Sequence, residues 1–314
     1  MNLRLIYPTG VLILHFSLAS VVLAQPGFPK VQHMIDTHIH LYDTGRQSGV
    51  PWPPKNDQVL YKPHLPGEFK RVAKDSGLTG VVIVEASDRL SDNRWVLDLV
   101  DGDEFFVGLV GNVDPYRKDF LQQIRRLKKE KRFVGVRARN PKPIDYTDNR
   151  VLSSFRSLAD EELTLDFLCN GQGVKGVQEV DRIARSVPEL TIVVDHILGY
   201  NIDGKEPPKE WLMAVKKLAE NPNVYCKVSG LYQRCLQQPA PLESLHYRSV
   251  LNVLWNQFGQ KRLLFGSNWP CTKKSGSYSS FVKLVNSYFA EKGQEACEDY
   301  FWKNASSAYR LGLK

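Results

Sequence analysis

The chain contains 314 residues, of which 42% are hydrophobic and 24% are charged, and its formal net charge is +8. This composition is ordinary for a globular protein and excludes a low-complexity chain. The densest run of basic residues, 125–132, fits the solvent-facing side of an amphipathic helix, so we expect no nucleic-acid partner. The five cysteines have no C-x-x-C spacing, which argues against a disulfide framework.

The first 24 residues have the pattern of a secretory signal peptide. Arg4 is the one charged residue in this segment, an apolar run extends over residues 11–23, and Ala24 stands at the expected cleavage position. The run is short for a membrane span, although an uncleaved anchor is the alternative. We therefore expect a signal peptide at 1–24, a mature domain at 25–314, export to the periplasm or the medium, and no stable membrane insertion after cleavage.

Eight apolar segments that favour β-structure follow one another along the rest of the chain, with amphipathic segments between them. The predicted strands are 34–40, 80–87, 105–113, 133–139, 163–170, 191–197, 224–231 and 262–269. The predicted helices include 92–101, 118–131, 175–187, 209–220 and 244–259. Apolar strands that alternate with helices predict a parallel sheet, and eight such units predict a (β/α)₈ TIM barrel. A doubly wound open sheet is the alternative, but no Gly-x-Gly-x-x-Gly turn follows the first strand.

Polar residues stand at the carboxyl ends of the predicted strands, where the functional site of a (β/α)₈ barrel lies. His38 and His40 end the first strand and point to the same side of it, because side chains alternate along a strand. Two imidazoles so close together can hold one metal ion or one polarised oxygen. The other strand ends carry Glu85, Asn112, Asp114, Arg137, Arg139, Asn170, Asp195, His196, Lys227, Ser229, Ser267 and Asn268. Burying so many polar groups without partners would be costly, which favours a functional site.

Five short motifs follow one another along these strands. They are IDTHIH at 35–40, VGVR at 134–137, VDH at 194–196, KVSG at 227–230 and FGSNWP at 265–270, and Asn304-Ala305 follows near the end. In this order they resemble the amidohydrolase superfamily, and in particular its sugar-lactonase and pyrone-dicarboxylate-lactonase branch. The resemblance extends from about residue 33 to about residue 312. It implies a single-domain, distorted TIM barrel that hydrolyses lactones or related bonds.

The resemblance also implies a role for each matched residue. His38, His40 and His196 would hold the substrate carbonyl or, in some members, one divalent metal. Substrate binding would fall to Arg137, Arg139, Lys227 and Trp269. A binuclear site is excluded on ligand count, because the fourth strand offers arginine where a bridging ligand is needed. A mononuclear site would suit zinc, and a site without metal stays open.

Asn268 departs from the pattern of the family. The lactonase branch usually has Asp at this position, where it activates water, whereas an amide can orient a water but cannot act as a general base. Replacement bases are sought among Glu85, Asp195 and His196. Asp195 and His196 have opposite parity in a strand, so we expect one of them to face inward. For Glu85 a salt bridge with Arg137 or Lys227 is favoured over a role as base.

Several residues outside these motifs also lead to predictions. The long, proline-rich loop after the first strand carries Trp52 and His64, and the resemblance makes it a lid with aromatic contacts. His33 precedes the first strand and is expected to be structural. Cys169 and Cys271 stand at strand ends, where packing is favoured over a role as nucleophile.

Three functions are compatible with this sequence. The first is an exported hydrolase that opens a sugar lactone or a related cyclic ester. The second is a lyase of the same barrel type, such as a non-oxidative decarboxylase. The third is a catalytically silent barrel that binds a sugar acid, which Asn268 favours and the intact His, Arg and Lys set disfavours. Each requires a small-molecule substrate or ligand, and the sequence does not predict the oligomeric state.

Overall fold

The computed structural model describes residues 30–137, 143–169 and 172–313. Within these residues eight parallel strands form one sheet, in which each strand lies beside its neighbours in the sequence. The strands are β1 Ile35–Ile39, β2 Gly80–Val84, β3 Phe106–Gly111, β4 Phe133–Arg137, β5 Thr164–Phe167, β6 Ile192–Val194, β7 Val224–Val228 and β8 Leu263–Phe265. All eight were predicted. The predicted end of β4 lies outside the described residues, and each of the other strands is shorter than its predicted segment.

Strands β1 and β8 meet just beyond the end of β8, and this contact brings the sheet close to a complete barrel. The backbone N–H of Asn268 donates to the carbonyl of His38 over 2.8 Å, and the N–H of His40 donates to the carbonyl of Trp269 over 2.8 Å. The strand order and this closing contact confirm the (β/α)₈ barrel and make the doubly wound alternative wrong.

Helices alternate with the strands on the outside of the barrel. In the described residues they are α1 Pro66–Ala73, α2 Leu90–Leu99, α3 Phe120–Lys128, α4 Asn149–Asp160, α5 Val174–Ser186, α6 Lys209–Ala219, α7 Leu231–Arg234, α8 Arg248–Phe258, α9 Tyr278–Ala290, α10 Gln294–Glu298 and α11 Asn304–Tyr309. None of these helices has the length and apolar character needed to cross a membrane. The signal peptide and the cleavage site expected at residues 1–24 lie outside the described residues.

The helices follow from local sequence. Helix α4 begins after Asp148, whose carboxylate accepts the backbone N–H of Arg150 over 2.8 Å and so satisfies one free donor of the first turn. Helix α3 buries Phe120 and Ile124, four residues apart, against the barrel. The basic residues of the same helix are exposed, and Arg125 pairs with a neighbouring carboxylate. The run at 125–132 is therefore a solvated helix face.

Helix α11 covers the end of the barrel at which the strands begin. Ala305, Ala308 and Tyr309 pack with interior residues of β1 to β4, β6 and β8, and Thr164 at the start of β5 donates to the carbonyl of Ala308 over 2.6 Å. The side-chain amide of Asn304 donates to the carbonyl of Leu263 over 2.8 Å. The Asn-Ala segment noted in the sequence thus ties the end of the chain to the amino ends of the strands and leaves the opposite end of the barrel for the site.

Candidate active site

The two histidines of β1 face one another as the sequence predicted. The Nε2 atoms of His38 and His40 lie 3.3 Å apart, and both rings are buried. Nδ1 of His40 lies 2.9 Å from the carbonyl oxygen of Val84. Because a carbonyl oxygen can only accept, Nδ1 of His40 carries the ring hydrogen and its Nε2 keeps a lone pair.

His38 has a carboxylate on its other side. Nδ1 of His38 lies 3.2 Å from Oδ1 of Asp195, and Nζ of Lys227 lies 3.4 Å from the same nitrogen. An ammonium can only donate, and Oδ1 of Asp195 receives no aligned hydrogen bond from the described residues, so Nδ1 of His38 accepts from Lys227 and the ring hydrogen of His38 lies on Nε2. The two Nε2 atoms converge on one point, where His38 donates to the lone pair of His40.

Both Asp195 and His196 turn towards this point, so the expectation that one of them would face outward is wrong. The reason is the backbone: β6 ends at Val194, and His196, Ile197 and Leu198 all have positive φ, of 52°, 49° and 59°. The strict alternation of a strand no longer applies in this turn. Three consecutive left-handed residues without glycine are costly, and such strain is commonly held at functional sites.

The ring of His196 is held from below by the end of β7. Its Nδ1 lies 2.8 Å from the hydroxyl of Ser229, and its centroid lies 4.4 Å from that of His38. Gly230 has a φ of 64°, and a Cβ at this position would lie 3.0 Å from Nδ1 of His196. The glycine of the KVSG motif is therefore needed for the close approach of the backbone to the ring.

All three imidazoles are neutral near pH 7. Burial, assisted by the positive charge of Arg137, lowers the pKa of His40 to about 3. Burial also lowers the pKa of His196 to about 3 against the opposing effect of Asp195, and it lowers the pKa of His38 well below its usual value. Neutral rings with free lone pairs suit a metal ion or a polar ligand.

Arg137 and Glu85 form the buried salt bridge that the sequence favoured. Nε of Arg137 lies 2.6 Å from Oε1 of Glu85, and its Nη2 donates to the backbone carbonyl of Glu85 over 2.7 Å. Nη1 of Arg137 also lies 3.4 Å from Oδ2 of Asp195. The ion pair occupies Glu85 and weakens its candidacy as a general base.

Lys227 lies beneath the site, and the prediction that it binds substrate is corrected. Its ammonium is fully buried, 2.5 Å from Oδ2 of Asp166 and 3.1 Å from Oδ1 of Asp195. Burial opposes the ionisation of Asp195, but Lys227 and then His38 outweigh it and hold the pKa of Asp195 well below its usual value. Lys227 therefore forms ion pairs with two carboxylates of the protein itself.

Two further predicted substrate contacts need comment. The side chain of Trp269 is fully buried and packs on Phe69 and His64, with ring centroids 5.0 and 5.2 Å away. It belongs to the core between the barrel and α1, so its assignment to the substrate is corrected. Arg139 lies outside the described residues, as does Asn170.

Asn268 follows β8 with a φ of 59°, a conformation that Asn and Asp adopt more readily than other side chains. Its backbone N–H is bonded to His38, as described above, and its side chain is almost completely buried. The position therefore adjoins the histidine pair, and Asp would suit the same backbone. The chemical difference between the two residues is the loss of a carboxylate.

The loop after β1 folds over the histidines, as expected from its length. The ring of Trp52 lies 5.4 Å from that of His40 and 5.4 Å from that of Tyr42. His64 pairs through Nδ1 with Glu68 over 2.8 Å. The aromatic contacts are present, whereas the opening of this loop as a lid stays a prediction.

A small cavity of about 20 Å³, partly open to solvent, adjoins Glu85 under this loop. Apolar side chains from the loop, from α2 and from β3 line most of it, including Leu41, Trp95, Val96 and Leu109. A space of this size holds about one water molecule, so a sugar lactone does not fit there unless the loop moves.

Sequence analysis missed two charged residues. Asp166 is a single carboxylate within the otherwise apolar strand TLDF, and this isolation is the signal that was available. Arg234 ends α7, seven residues after Lys227, in a βα loop where functional groups are expected. Its half-buried guanidinium has no hydrogen bond or ion pair with the described residues, and its charge helps to lower the pKa of His196.

The arrangement fits one metal ion. Ligand atoms of His38, Asp195 and His196 all lie within 4.8 Å of one another, a set that contains Asp195 where the sequence suggested His40. Zn–N bonds of 2.0–2.1 Å in a tetrahedron place two nitrogens about 3.4 Å apart, close to the separation of the His38 and His40 Nε2 atoms. Oδ1 of Asp195 is buried and receives no aligned hydrogen bond from the described residues.

Comparison with known proteins identifies the family. The amidohydrolase family model matches residues 35–311. An L-fucono-1,5-lactonase of Burkholderia ambifaria is 27% identical over 250 residues, which cover 79% of this chain and 83% of the relative. An L-fucono-1,5-lactonase of Burkholderia multivorans is 24% identical over 298 residues, 88% of this chain and 96% of the relative. The resemblance drawn from the motifs is confirmed.

Solved structures show the same fold. A zinc-bound amidohydrolase from Burkholderia multivorans gives a TM-score of 0.77 at 21% identity, over 89% of this chain and 99% of that chain. Amidohydrolase 2 from Bifidobacterium longum subsp. infantis gives a TM-score of 0.68 at 21% identity, over 89% of this chain and 99% of that chain.

Proposed function

The chain belongs to the amidohydrolase family, and from this premise we propose that it is a hydrolase that opens a sugar lactone or a related cyclic ester. The observation that carries the proposal is the pair of neutral imidazoles of His38 and His40, whose Nε2 atoms lie 3.3 Å apart, beside neutral His196. The likeness to two L-fucono-1,5-lactonases supports a sugar lactone as the substrate class.

We propose that the site holds one zinc ion through His38, His40 and His196. Zinc in such a site polarises a carbonyl and lowers the pKa of water. With the ion bound, the hydrogen of His38 would lie on Nδ1, 3.2 Å from Asp195. The Val84 carbonyl holds the hydrogen of His40 on Nδ1, and Ser229 orients His196. Contacts of this kind outside the ligands keep the lone pairs aimed at the ion.

The remaining residues bind the substrate and orient the attacking water. The guanidinium of Arg234, which has no protein partner among the described residues, binds a hydroxyl or carboxylate of the sugar. Asn268 donates a hydrogen bond to the water or to the carbonyl, but it cannot take the proton. Loss of a positioned base typically costs about 10²–10⁴ in rate, so the native protein is expected to be a slow lactonase.

A second function, binding of a sugar acid without turnover, is favoured by Asn268 and by the low pKa of Asp195, which makes that carboxylate a weak base. The two candidates differ in one experiment. The zinc-loaded protein is mixed with a panel of aldonolactones in a weakly buffered pH-indicator assay, and the matching aldonates are titrated calorimetrically. Acid release above the blank supports the hydrolase, whereas tight aldonate binding without acid release supports the binding protein. The lyase alternative has no supporting observation in the described site.

We also propose that the protein is exported, since its first 24 residues have the pattern of a signal peptide. The intact mass of the protein purified from its native host tests this directly. A chain that begins at Gln25 supports export with cleavage. A chain that retains residues 1–24 would contradict it.

A further inference from the structure

A line of buried polar groups runs from helix α11 to the histidine pair. The hydroxyl of Tyr309 donates to Oδ1 of Asp166 over 2.8 Å, and Nζ of Lys227 donates to Oδ2 of Asp166 over 2.5 Å. The same ammonium lies 3.1 Å from Oδ1 of Asp195, which in turn lies 3.2 Å from Nδ1 of His38. Tyr309 is 2% exposed and the other four are at most 1% exposed.

Packing alone does not account for this line. Tyr309 lies among apolar residues of the barrel interior, including Ala305 and Ala308, where the ring of phenylalanine would fit equally well. Its hydroxyl nevertheless reaches a carboxylate at the third position of β5. A buried carboxylate without a hydrogen-bond donor destabilises the fold, so the hydroxyl of Tyr309 has a specific function, which is to donate to Asp166.

Lys227 is shared between two carboxylates that have different surroundings. Asp166 receives two aligned hydrogen bonds, from Lys227 and Tyr309, whereas Asp195 has ion-pair distances to Lys227 and Arg137 without an aligned donor at Oδ1. The position of the Lys227 ammonium is therefore determined mainly by its hydrogen bond to Asp166. If Asp166 moves or turns, Lys227 moves with it, and Asp195 loses its nearest cation.

We propose that Tyr309 and Asp166 are positioning residues, which hold the Lys227 ammonium against Asp195 and 3.4 Å from Nδ1 of His38. The proposal rests on the proposed function for its catalytic meaning, but its geometric content is independent of turnover. It gives Tyr309 and Asp166 a role in setting which nitrogen of His38 carries the ring hydrogen.

The test uses Tyr309→Phe and Asp166→Asn in the full-length protein. Thr164→Val is the matched control, because it removes a buried hydrogen bond between β5 and α11 at the same end of the barrel without touching the line. The ¹⁵N signals of His38 at pH 7 report the tautomer, and competition with a chelator of known affinity reports zinc binding. Neither readout requires a substrate.

In the zinc-free state we expect the native protein and Thr164→Val to show His38 with its hydrogen on Nε2, because Lys227 donates to Nδ1. Tyr309→Phe and Asp166→Asn should show a mixture of tautomers and bind zinc roughly 10–100-fold more weakly, the range typical for lost outer contacts of a metal ligand. Native tautomer and native zinc affinity in both folded variants would overturn the proposal. If Tyr309→Phe does not fold, Asp166→Asn alone decides. If no variant opens a lactone, the proposed function fails while the tautomer measurement still stands.

Discussion

The Nε2 atoms of His38 and His40 lie 3.3 Å apart, and the Nδ1 atom of each ring contacts a group outside the pair. Nδ1 of His40 donates to the carbonyl of Val84, so its Nε2 has a lone pair that accepts from Nε2–H of His38. The low pKa of both rings disfavours a second proton on either of them. A metal ion can bind both Nε2 atoms once the hydrogen of His38 moves to Nδ1, beside Asp195.

We expect His40→Asn to lose zinc and lactonase activity together. Removal of one of three ligands should reduce kcat by at least about 10²-fold, comparable with the loss of one stabilising group in an oxyanion site. Zinc content by mass spectrometry and initial rates measure the two effects. His33→Asn is the control, since His33 packs against Trp302 in the segment that covers the opposite end of the barrel. Full zinc content and full activity in His40→Asn would contradict the ligand assignment.

The neutral state of His40 should also make stability depend on pH. Its pKa is lowered from 6.5 to about 3, so between these values the unfolded chain binds a proton that the folded chain does not. The stabilisation is present above the unfolded pKa and is lost as the pH falls. In zinc-free protein, the free energy of unfolding, measured by urea titration, should decrease as the pH is lowered. The decrease should be less steep for His40→Asn than for the native chain, by about 1.4 kcal/mol per pH unit. Equal slopes between about pH 6 and about pH 4 would contradict the burial argument.

The variant Glu85→Gln tests whether Glu85 is a structural carboxylate or a catalytic base. The change leaves the buried guanidinium of Arg137 without its partner at 2.6 Å, and loss of one partner of a buried pair typically costs about 3–5 kcal/mol. We therefore expect a lower melting temperature and an unchanged shape of the pH–rate profile. Glu104→Gln, on the surface, is the control. A variant with native stability and a missing acidic limb in the profile would identify Glu85 as the base.

Arg234→Gln should weaken substrate binding. A hydrogen bond to a charged group contributes about 1.5–3 kcal/mol, which corresponds to a rise in KM of roughly 10–100-fold with a smaller change in kcat. Arg126→Gln on the exposed face of α3 removes an equal charge far from the barrel mouth and should leave both constants unchanged. An unaltered KM in Arg234→Gln would remove this residue from the substrate site.

Much of the fold and the position of the histidine pair could be predicted from the sequence. Strands buried on both faces give continuous apolar runs, and residues two apart in a strand share a side whatever the tertiary structure. The pairing of Glu85 with Arg137 was also favoured in advance, because both stand at strand ends of the same barrel. These features depend on local pattern and on the common geometry of parallel sheets.

The misassigned residues depend on contacts that a local pattern does not contain. Asp195 and His196 face the same way because three residues adopt positive φ, which no alternation rule anticipates. Lys227 was assigned to the substrate, but two buried carboxylates from other strands enclose it. Tyr309 reaches Asp166 across 143 positions in the sequence. Such long-range partners become visible only once the barrel is closed.

The most direct test of the central claim compares the rates at which the zinc-loaded native protein and the zinc-loaded Asn268→Asp variant open aldonolactones. The metal-free protein serves as the blank. We predict slow, zinc-dependent acid release by the native protein. In Asn268→Asp the rate should rise by up to about 10²–10⁴-fold, because a carboxylate restores a base next to His38. No acid release by either protein on any lactone of the panel would contradict the assignment as a lactonase.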